Sequence, residues 1–164
     1  PSWKERIFGL KWYQGDTVNL SIGQGYLLVT PLQTAVLVSA IANGGKIFRP
    51  YIVKRIEYAD GRVKEKVPIL EKTISISHRT KEILDRGLCA VIEHGTGKKA
   101  YIPDIKIAGK TGTAQNPHGK DHAWFVCYAP VEDPQVVVVV LVEHGGRGGV
   151  DAAPIAKRIL EKVL

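Results

Sequence analysis

The unbroken apolar run VVVVVLV, Val136 to Val142, limits the possible folds more than any other stretch of this sequence. It is far short of the ~20 apolar residues of a membrane-spanning helix. β-Branched valine favours extended backbone. The run lacks the apolar–polar alternation of a strand with one wet face, so it predicts a strand covered on both faces. Such a central strand needs neighbours on both sides. One partner is evident: HAWFVCYAP (122–130) and PQVVVVVLVEHG (134–145) flank Glu132, Asp133 and Pro134 and read as a hairpin. The expectation is that further sheet material lies upstream of the chain.

The other segments read as alternating helices and strands. DTVNLSIGQG (16–25) starts with Val18, Leu20 and Ile22 on one face, which predicts a short strand entering a glycine-rich turn. Thr30 caps a helix that has Pro31 at its first position and Gly44-Gly45 past its end. That helix is apolar at nearly every turn and is expected to be buried. YIVKRIEYADGRVKEKV predicts a hairpin turning at Asp60-Gly61. Ser77 caps a second helix, with Ile83, Leu84, Leu88, Val91 and Ile92 on one stripe and Gly95 as its stop. Asp104 to Gln115 predicts a strand. A closing helix presents Ile155, Ile159, Leu160 and Val163. The fold class expected is α+β, an antiparallel sheet flanked by helices.

At 164 residues the chain is long enough for one domain with a sizeable core. It has no methionine and no charged-then-apolar leader, and is read as a piece of something longer. The net charge is +7, but the basic residues are scattered and no run of five occurs. A solvated surface is the reading preferred over a nucleic-acid partner. Cys89 and Cys127 sit inside apolar stretches and are expected to be buried thiols.

The chemistry centres on KIAGKTGTAQ (106–115). Its Gly-Lys-Thr is not the end of a P-loop. That pattern needs glycine five positions before Gly109, where Asp104 stands, and a helix where TGTAQNPHG follows. Read as Lys-Thr-Gly on a strand, alternation places Lys110 and Gly112 on one face and Thr111 and Thr113 on the other. On an edge strand the free N–H groups can bind an extended peptide or a carbonyl oxygen. Gly112 lets a substrate approach the backbone, the threonine hydroxyls can hold a carboxylate, and the lysine adds positive potential. This set suits an anionic acyl-transfer substrate. Two other constellations are weaker. His118, Asp121, His122 and Cys127 match no metal-ligand spacing, so no metal is expected. Ser39 lies on an apolar helix with no base in sight.

GDTVNLSIGQGYLLVTPLQTAVLVSAIANGG, AGKTGTAQ, HAWFVCYAP and EHGG before a final helix occur in this order. Together they resemble the C-terminal half of the transpeptidase domain of class B penicillin-binding proteins, the elongation type (penicillin-binding protein 2). The resemblance covers essentially the whole chain, 1–164. It implies part of the fold shared by penicillin-binding-protein transpeptidases and serine β-lactamases, with five antiparallel strands flanked by helices. It implies that Lys110 is the motif lysine, that Thr111 and Thr113 hold a substrate or β-lactam carboxylate, and that Gly112 is the motif glycine. The Thr113 N–H would be one of two oxyanion-hole donors, making Lys110 and Thr113 the catalytic contributions. No cofactor is implied. The parent would be a D,D-transpeptidase acting on peptidoglycan stem peptides. It would be anchored by an upstream helix with this domain on the periplasmic side of the inner membrane, and would work with a membrane glycosyltransferase of the elongation machinery.

The family also needs S-x-x-K for its nucleophile and S-x-N for a second motif. Three residues after Ser2, Ser21, Ser39, Ser75 and Ser77 stand Glu5, Gln24, Ala42, His78 and Thr80. Two residues after them stand Lys4, Gly23, Ile41, Ser77 and Arg79. Neither motif is present. The expectation is that the upstream half of the domain holds both, and that this chain alone is inactive. The alternatives are a fragment of a β-lactamase or β-lactam sensor, or a basic binding module without chemistry.

Overall fold

The computed structural model describes residues 2–164. The chain divides into two compact units, residues 1–30 and residues 31–164.

The first unit contains α1 (Ser2–Phe8) and α2 (Gln14–Ser21). The strand expected over 16–25 is not there. Asp16 accepts a hydrogen bond from the Tyr13 N–H at 2.8 Å, and so caps the first turn of α2. The alternation that suggested a strand buries nothing: Val18, Leu20 and Ile22 are all exposed. Three alternating residues are too few to outweigh a capped turn. The same Asp16 carboxylate meets Lys4 Nζ at 2.6 Å, and Lys4 is buried over the rings of Tyr13 and Tyr26. Their hydrogen bond raises the lysine above its ordinary pKa and lowers the carboxylate below its own.

The second unit begins with α3 (Pro31–Ala42), which ends at Gly44 and Gly45, both at positive φ. Gly45 is required twice. Its φ is +107°, and a Cβ there would lie 2.0 Å from the Ile74 carbonyl oxygen. Contrary to expectation α3 is not buried all round. Ala40 and Ala42 are buried, whereas Leu32 and Leu37 are exposed, because only one side of the helix packs on the sheet. Next come β1 (Lys46–Phe48), β2 (Arg55–Glu57), β3 (Val63–Glu65) and β4 (Leu70–Thr73). β2 and β3 form the expected hairpin, with Gly61 at positive φ in its turn. β1 pairs with β4 across that hairpin, a ladder too short to show as a periodicity.

α4 (His78–Glu93) is capped as expected: the Ser77 hydroxyl accepts the Thr80 N–H at 3.1 Å. Replacing Ser77 with alanine is expected to cost about 1 kcal/mol, as other N-cap deletions do. That corresponds to a melting temperature roughly 2–4 °C lower in a domain of this size, checked by thermal denaturation followed by circular dichroism. The inward side of α4 carries Cys89 and Ile92, while Ile83 is exposed. Midway along it, Asp85 accepts hydrogen bonds from Lys81 Nζ at 2.6 Å and from the Tyr128 hydroxyl. Burial and that carboxylate hold the Tyr128 phenol well above its usual pKa.

The main sheet is an antiparallel meander in the order β5 (Ala108–Ala114), β6 (His122–Ala129), β7 (Val136–Val142). β5 is shorter than the strand expected from Asp104. Asp104 has φ +65°, and Ile102 bridges Ile105 in a tight turn first. The valine run is β7, and helices pack on it from both sides, α3 on one face and α5 (Ala153–Val163) on the other. Among the described strands, however, β7 pairs only with β6. β6 is the strand paired on both edges, with residues alternating between two cores. Ala123, Phe125, Cys127 and Ala129 join Ile92, Ile107, Val138, Val140, Ala153, Ala156 and Leu160. Tyr128 joins Ala42, Cys89, Ala108 and Val131 on the opposite face.

Of the residues expected on the inward face of α5, only Leu160 is buried. Ala153, Ala156 and Leu160 are buried, as is Ala152 just before the helix, whereas Ile155, Ile159 and Val163 are exposed. Small residues on the contact side let the helix approach the sheet closely, so bulk was the wrong guide to its orientation. A single π-helical turn, Gly148–Ala152, leads into α5.

Candidate active site

The Lys-Thr-Gly segment lies within β5, at the edge of the sheet. β5 pairs with β6 from Ala108↔Tyr128 to Ala114↔His122 and has no second strand partner among the described residues. Its first residues, Ala108 and Gly109, are buried under α4. A Cβ on Gly109 would lie 3.0 Å from Ile92 Cδ1 and 3.1 Å from Cys127 Cβ. From Lys110 onward the strand is exposed or half-buried.

The predicted division of faces holds. Gly112 shares a face with Trp124, whose Cβ would be 3.2 Å from a Cβ on the glycine. Lys110 is on this face by alternation. It is exposed, and its Nζ donates to the carbonyl oxygen of Thr111 at 2.7 Å. Thr111 and Thr113 instead line a cavity of about 470 Å³, together with Thr96, Lys98, Lys99, Asp121, Arg147, Gly148, Gly149 and Val150. The structure thus brings the two threonines together and keeps Lys110 out of their cavity, on the other side of the strand.

Two glycine-rich connections, the one after α4 and the one before α5, complete this cavity. Thr96 follows the end of α4, and its hydroxyl shares a 2.7 Å hydrogen bond with the Thr111 hydroxyl. Lys98 and Lys99 stand on a 3₁₀ turn whose third residue, Ala100, is wholly buried. Arg147 precedes the turn into α5, and its N–H donates to Asp151 Oδ2 at 2.9 Å. The glycines after Arg147 explain why this loop fits. A Cβ on Gly148 would lie 2.0 Å from the Trp124 carbonyl oxygen and 2.4 Å from that of Gly112. A Cβ on Gly149 would lie 2.1 Å from the Thr96 carbonyl oxygen. The glycine-rich HGGRGGV connection therefore serves close backbone packing on β5 and β6. The available signal was a cation next to glycines at a helix end in GTGKK and GGRGG.

The other candidates separate. Cys127 is buried in the core, and burial pushes its thiol up to about 12. Asp121 accepts the Asn116 N–H at 3.3 Å and orders the loop between β5 and β6. In the same loop the His118 N–H donates to Asn116 Oδ1. His122 stacks edge-on against His144, with centroids 4.9 Å apart, and accepts the His144 N–H. Among the described residues no three His, Cys, Asp or Glu side chains gather closely enough to hold a metal ion. Ser39 is half-buried on α3.

Residues 4–161 match the model of the penicillin-binding protein transpeptidase domain. The chain is 37% identical over 99% of its length to the peptidoglycan D,D-transpeptidase MrdA of Haemophilus influenzae, and spans 28% of that protein. Two solved structures are similar in fold as well as sequence. Penicillin-binding protein A of Mycobacterium tuberculosis, in its ceftriaxone acyl-enzyme complex, superposes with a TM-score of 0.81 at 35% identity, over 89% of this chain and 35% of that one. Penicillin-binding protein 2 of Pseudomonas aeruginosa, in complex with WCK 5153, superposes with a TM-score of 0.79 at 34% identity, over 98% of this chain and 35% of that one. A sheet with an exposed Lys-Thr-Gly edge, matched along nearly its whole length by these proteins, identifies the chain as a member of the penicillin-binding protein transpeptidase domain family.

Proposed function

We propose that this chain is the C-terminal part of the transpeptidase domain of a peptidoglycan D,D-transpeptidase, and that it supplies one wall of an acyl-transfer site. The observation that carries the reading is the position of Lys110-Thr111-Gly112-Thr113 on a sheet edge, exposed or half-buried beyond the cover of α4 and without a second strand partner among the described residues. An edge strand can line up an extended peptide along its backbone, and glycine allows a close approach.

In the proposed reaction the hydroxyl oxygen of a serine from the upstream half attacks the carbonyl carbon of a D-Ala-D-Ala peptide bond. The C–N bond breaks, the terminal D-Ala leaves as the amine with the serine proton, and an acyl-ester remains. An amine of a second stem peptide then attacks the ester, a new C–N bond forms, and the serine oxygen recovers a proton. Lys110 supplies positive charge on one face of the strand. Thr111 and Thr113 supply hydroxyls for the substrate carboxylate on the other. The Thr113 N–H supplies one oxyanion donor, worth roughly 100-fold or more in rate where such donors have been removed. β-Lactams would acylate the same serine. The S-x-x-K and S-x-N motifs, and the strands that would pair β7 on its other edge, belong to the upstream half in this reading. So do a membrane anchor, a periplasmic location at the inner membrane and a partner glycosyltransferase of the elongation machinery.

Intact-mass spectrometry after incubation with benzylpenicillin tests the reading. The full-length protein is expected to gain the mass of one penicillin on an upstream serine, and the 164-residue chain alone is expected to gain none. A full-length protein that stays unmodified, or an adduct on this chain alone, would overturn it.

A further inference from the structure

The cavity beside Thr111 and Thr113 holds more positive charge than one carboxylate requires. Lys98, Lys99 and Arg147 all line it, against a single acid, Asp121. The Asp121 carboxylate already accepts the Asn116 N–H, and its main-chain oxygen accepts the Gly146 N–H at 2.8 Å. Among the described residues no carboxylate lies within ion-pair distance of the Lys98 and Lys99 ammonium groups or the Arg147 guanidinium, although Asp151 accepts the Arg147 main-chain N–H and seven lysine or arginine ion pairs form elsewhere.

Lys98, Lys99 and Arg147 are exposed, so solvent screens their mutual repulsion, but three cations with no ion-pair partner around one cavity still favour an anion there. Their placement is built into the fold. Gly148 seats the Arg147 loop on the backbone of Gly112 and Trp124. Gly149 packs on the Thr96 carbonyl, and the buried Ala100 anchors the turn bearing both lysines. Thr96 then ties this cationic wall to Thr111 through their shared hydrogen bond. At about 470 Å³ the cavity is of the size that takes a small molecule, roughly 300–1,000 Å³.

We infer that Lys98, Lys99 and Arg147 form a second anion subsite next to the threonine pair, so that the site prefers substrates with two anionic groups. One carboxylate lies on Thr111 and Thr113, and the other reaches the cations. The identity of the first carboxylate's holders rests on the acyl-transfer reading; the cationic subsite itself does not.

Two measurements on the full-length protein separate these ideas. The first compares acylation by benzylpenicillin, which has one carboxylate, with acylation by its α-carboxy derivative, which has two. The double variant Lys98→Ala/Arg147→Ala is expected to lower the second-order acylation constant at least tenfold for the dianion and no more than threefold for the monoanion. Arg147→Lys alone should retain most of the dianion rate. Raising the salt concentration should reduce the wild-type preference and leave the double variant little changed. Equal losses for both compounds would overturn the inference. The second measurement is calorimetric titration with glutarate and with butyrate, which needs no acyl transfer. Wild type is expected to bind glutarate at least tenfold more tightly, and the double variant to lose that preference. Wild type without a glutarate preference would overturn the subsite whether or not β-lactams react. A preference in a protein that β-lactams never acylate would support the subsite and overturn the transpeptidase reading.

Discussion

Lys110→Ala in the full-length protein is expected to slow acylation by a β-lactam by on the order of 100-fold, the loss seen when a positioned electrostatic group is removed from an acyl-transfer site. Lys110 is exposed on an edge strand, and its ammonium donates to the carbonyl oxygen of its neighbour Thr111. It contributes no buried packing, so its removal leaves the melting temperature within about 1–2 °C. A large kinetic loss with little thermal change is the signature of a functional side chain. Lys110→Arg keeps the charge and is expected to recover part of the rate, though a guanidinium fork does not reproduce a compact ammonium. Stopped-flow acylation with a chromogenic cephalosporin gives the rate constant. Unchanged acylation in Lys110→Ala would remove Lys110 from the site.

Gly148→Ala is expected to produce the largest loss of stability of any single methyl addition in this region. The added carbon would lie 2.0 Å from the Trp124 carbonyl oxygen, 2.4 Å from the Gly112 carbonyl oxygen and 3.0 Å from the Gly112 nitrogen. All three are backbone atoms of a paired ladder, so none can swing aside as a side-chain tip would. Overpacking of a dense interior costs about 1–3 kcal/mol, and this site is at or above the top of that range. A fall in melting temperature of roughly 6–12 °C follows for about 3 kcal/mol in a domain of this size. The variant should also disturb the cavity wall, since Arg147 is the preceding residue. Denaturant unfolding and acylation of the full-length variant report the two effects separately. Near wild-type stability would show that the loop is free to lift from β5.

The local signals were legible because they are local. Ser77, Pro31, Gly61 and Gly45 act on hydrogen bonds and dihedral angles within a few residues, and each is where the sequence places it. The Lys-Thr-Gly strand was legible for the same reason, since alternation alone sends Lys110 and Gly112 one way and Thr111 and Thr113 the other. Three expectations failed where a partner decides. The 16–25 alternation gave way to a turn capped by Asp16. α3 has its apolar surface on every side but packs on the sheet with one. α5 turns its alanines inward, because the closeness of the sheet selects small residues over large ones.

The order of the longer elements from α3 onward, the two-sided cover of the valine strand and the alternation of Lys110 and Gly112 against Thr111 and Thr113 followed from the sequence by itself. Tertiary structure alone decided which charges share a cavity with Thr111 and Thr113. Thr96 and Lys98 reach it from before β5 and Arg147 from beyond β7, through contacts between residues 15 and more than 30 positions apart. The physical reason is that a periodicity reports which face of one element is apolar. It does not report which loops a glycine without a side chain, such as Gly148 or Gly149, will allow to settle against that element's backbone.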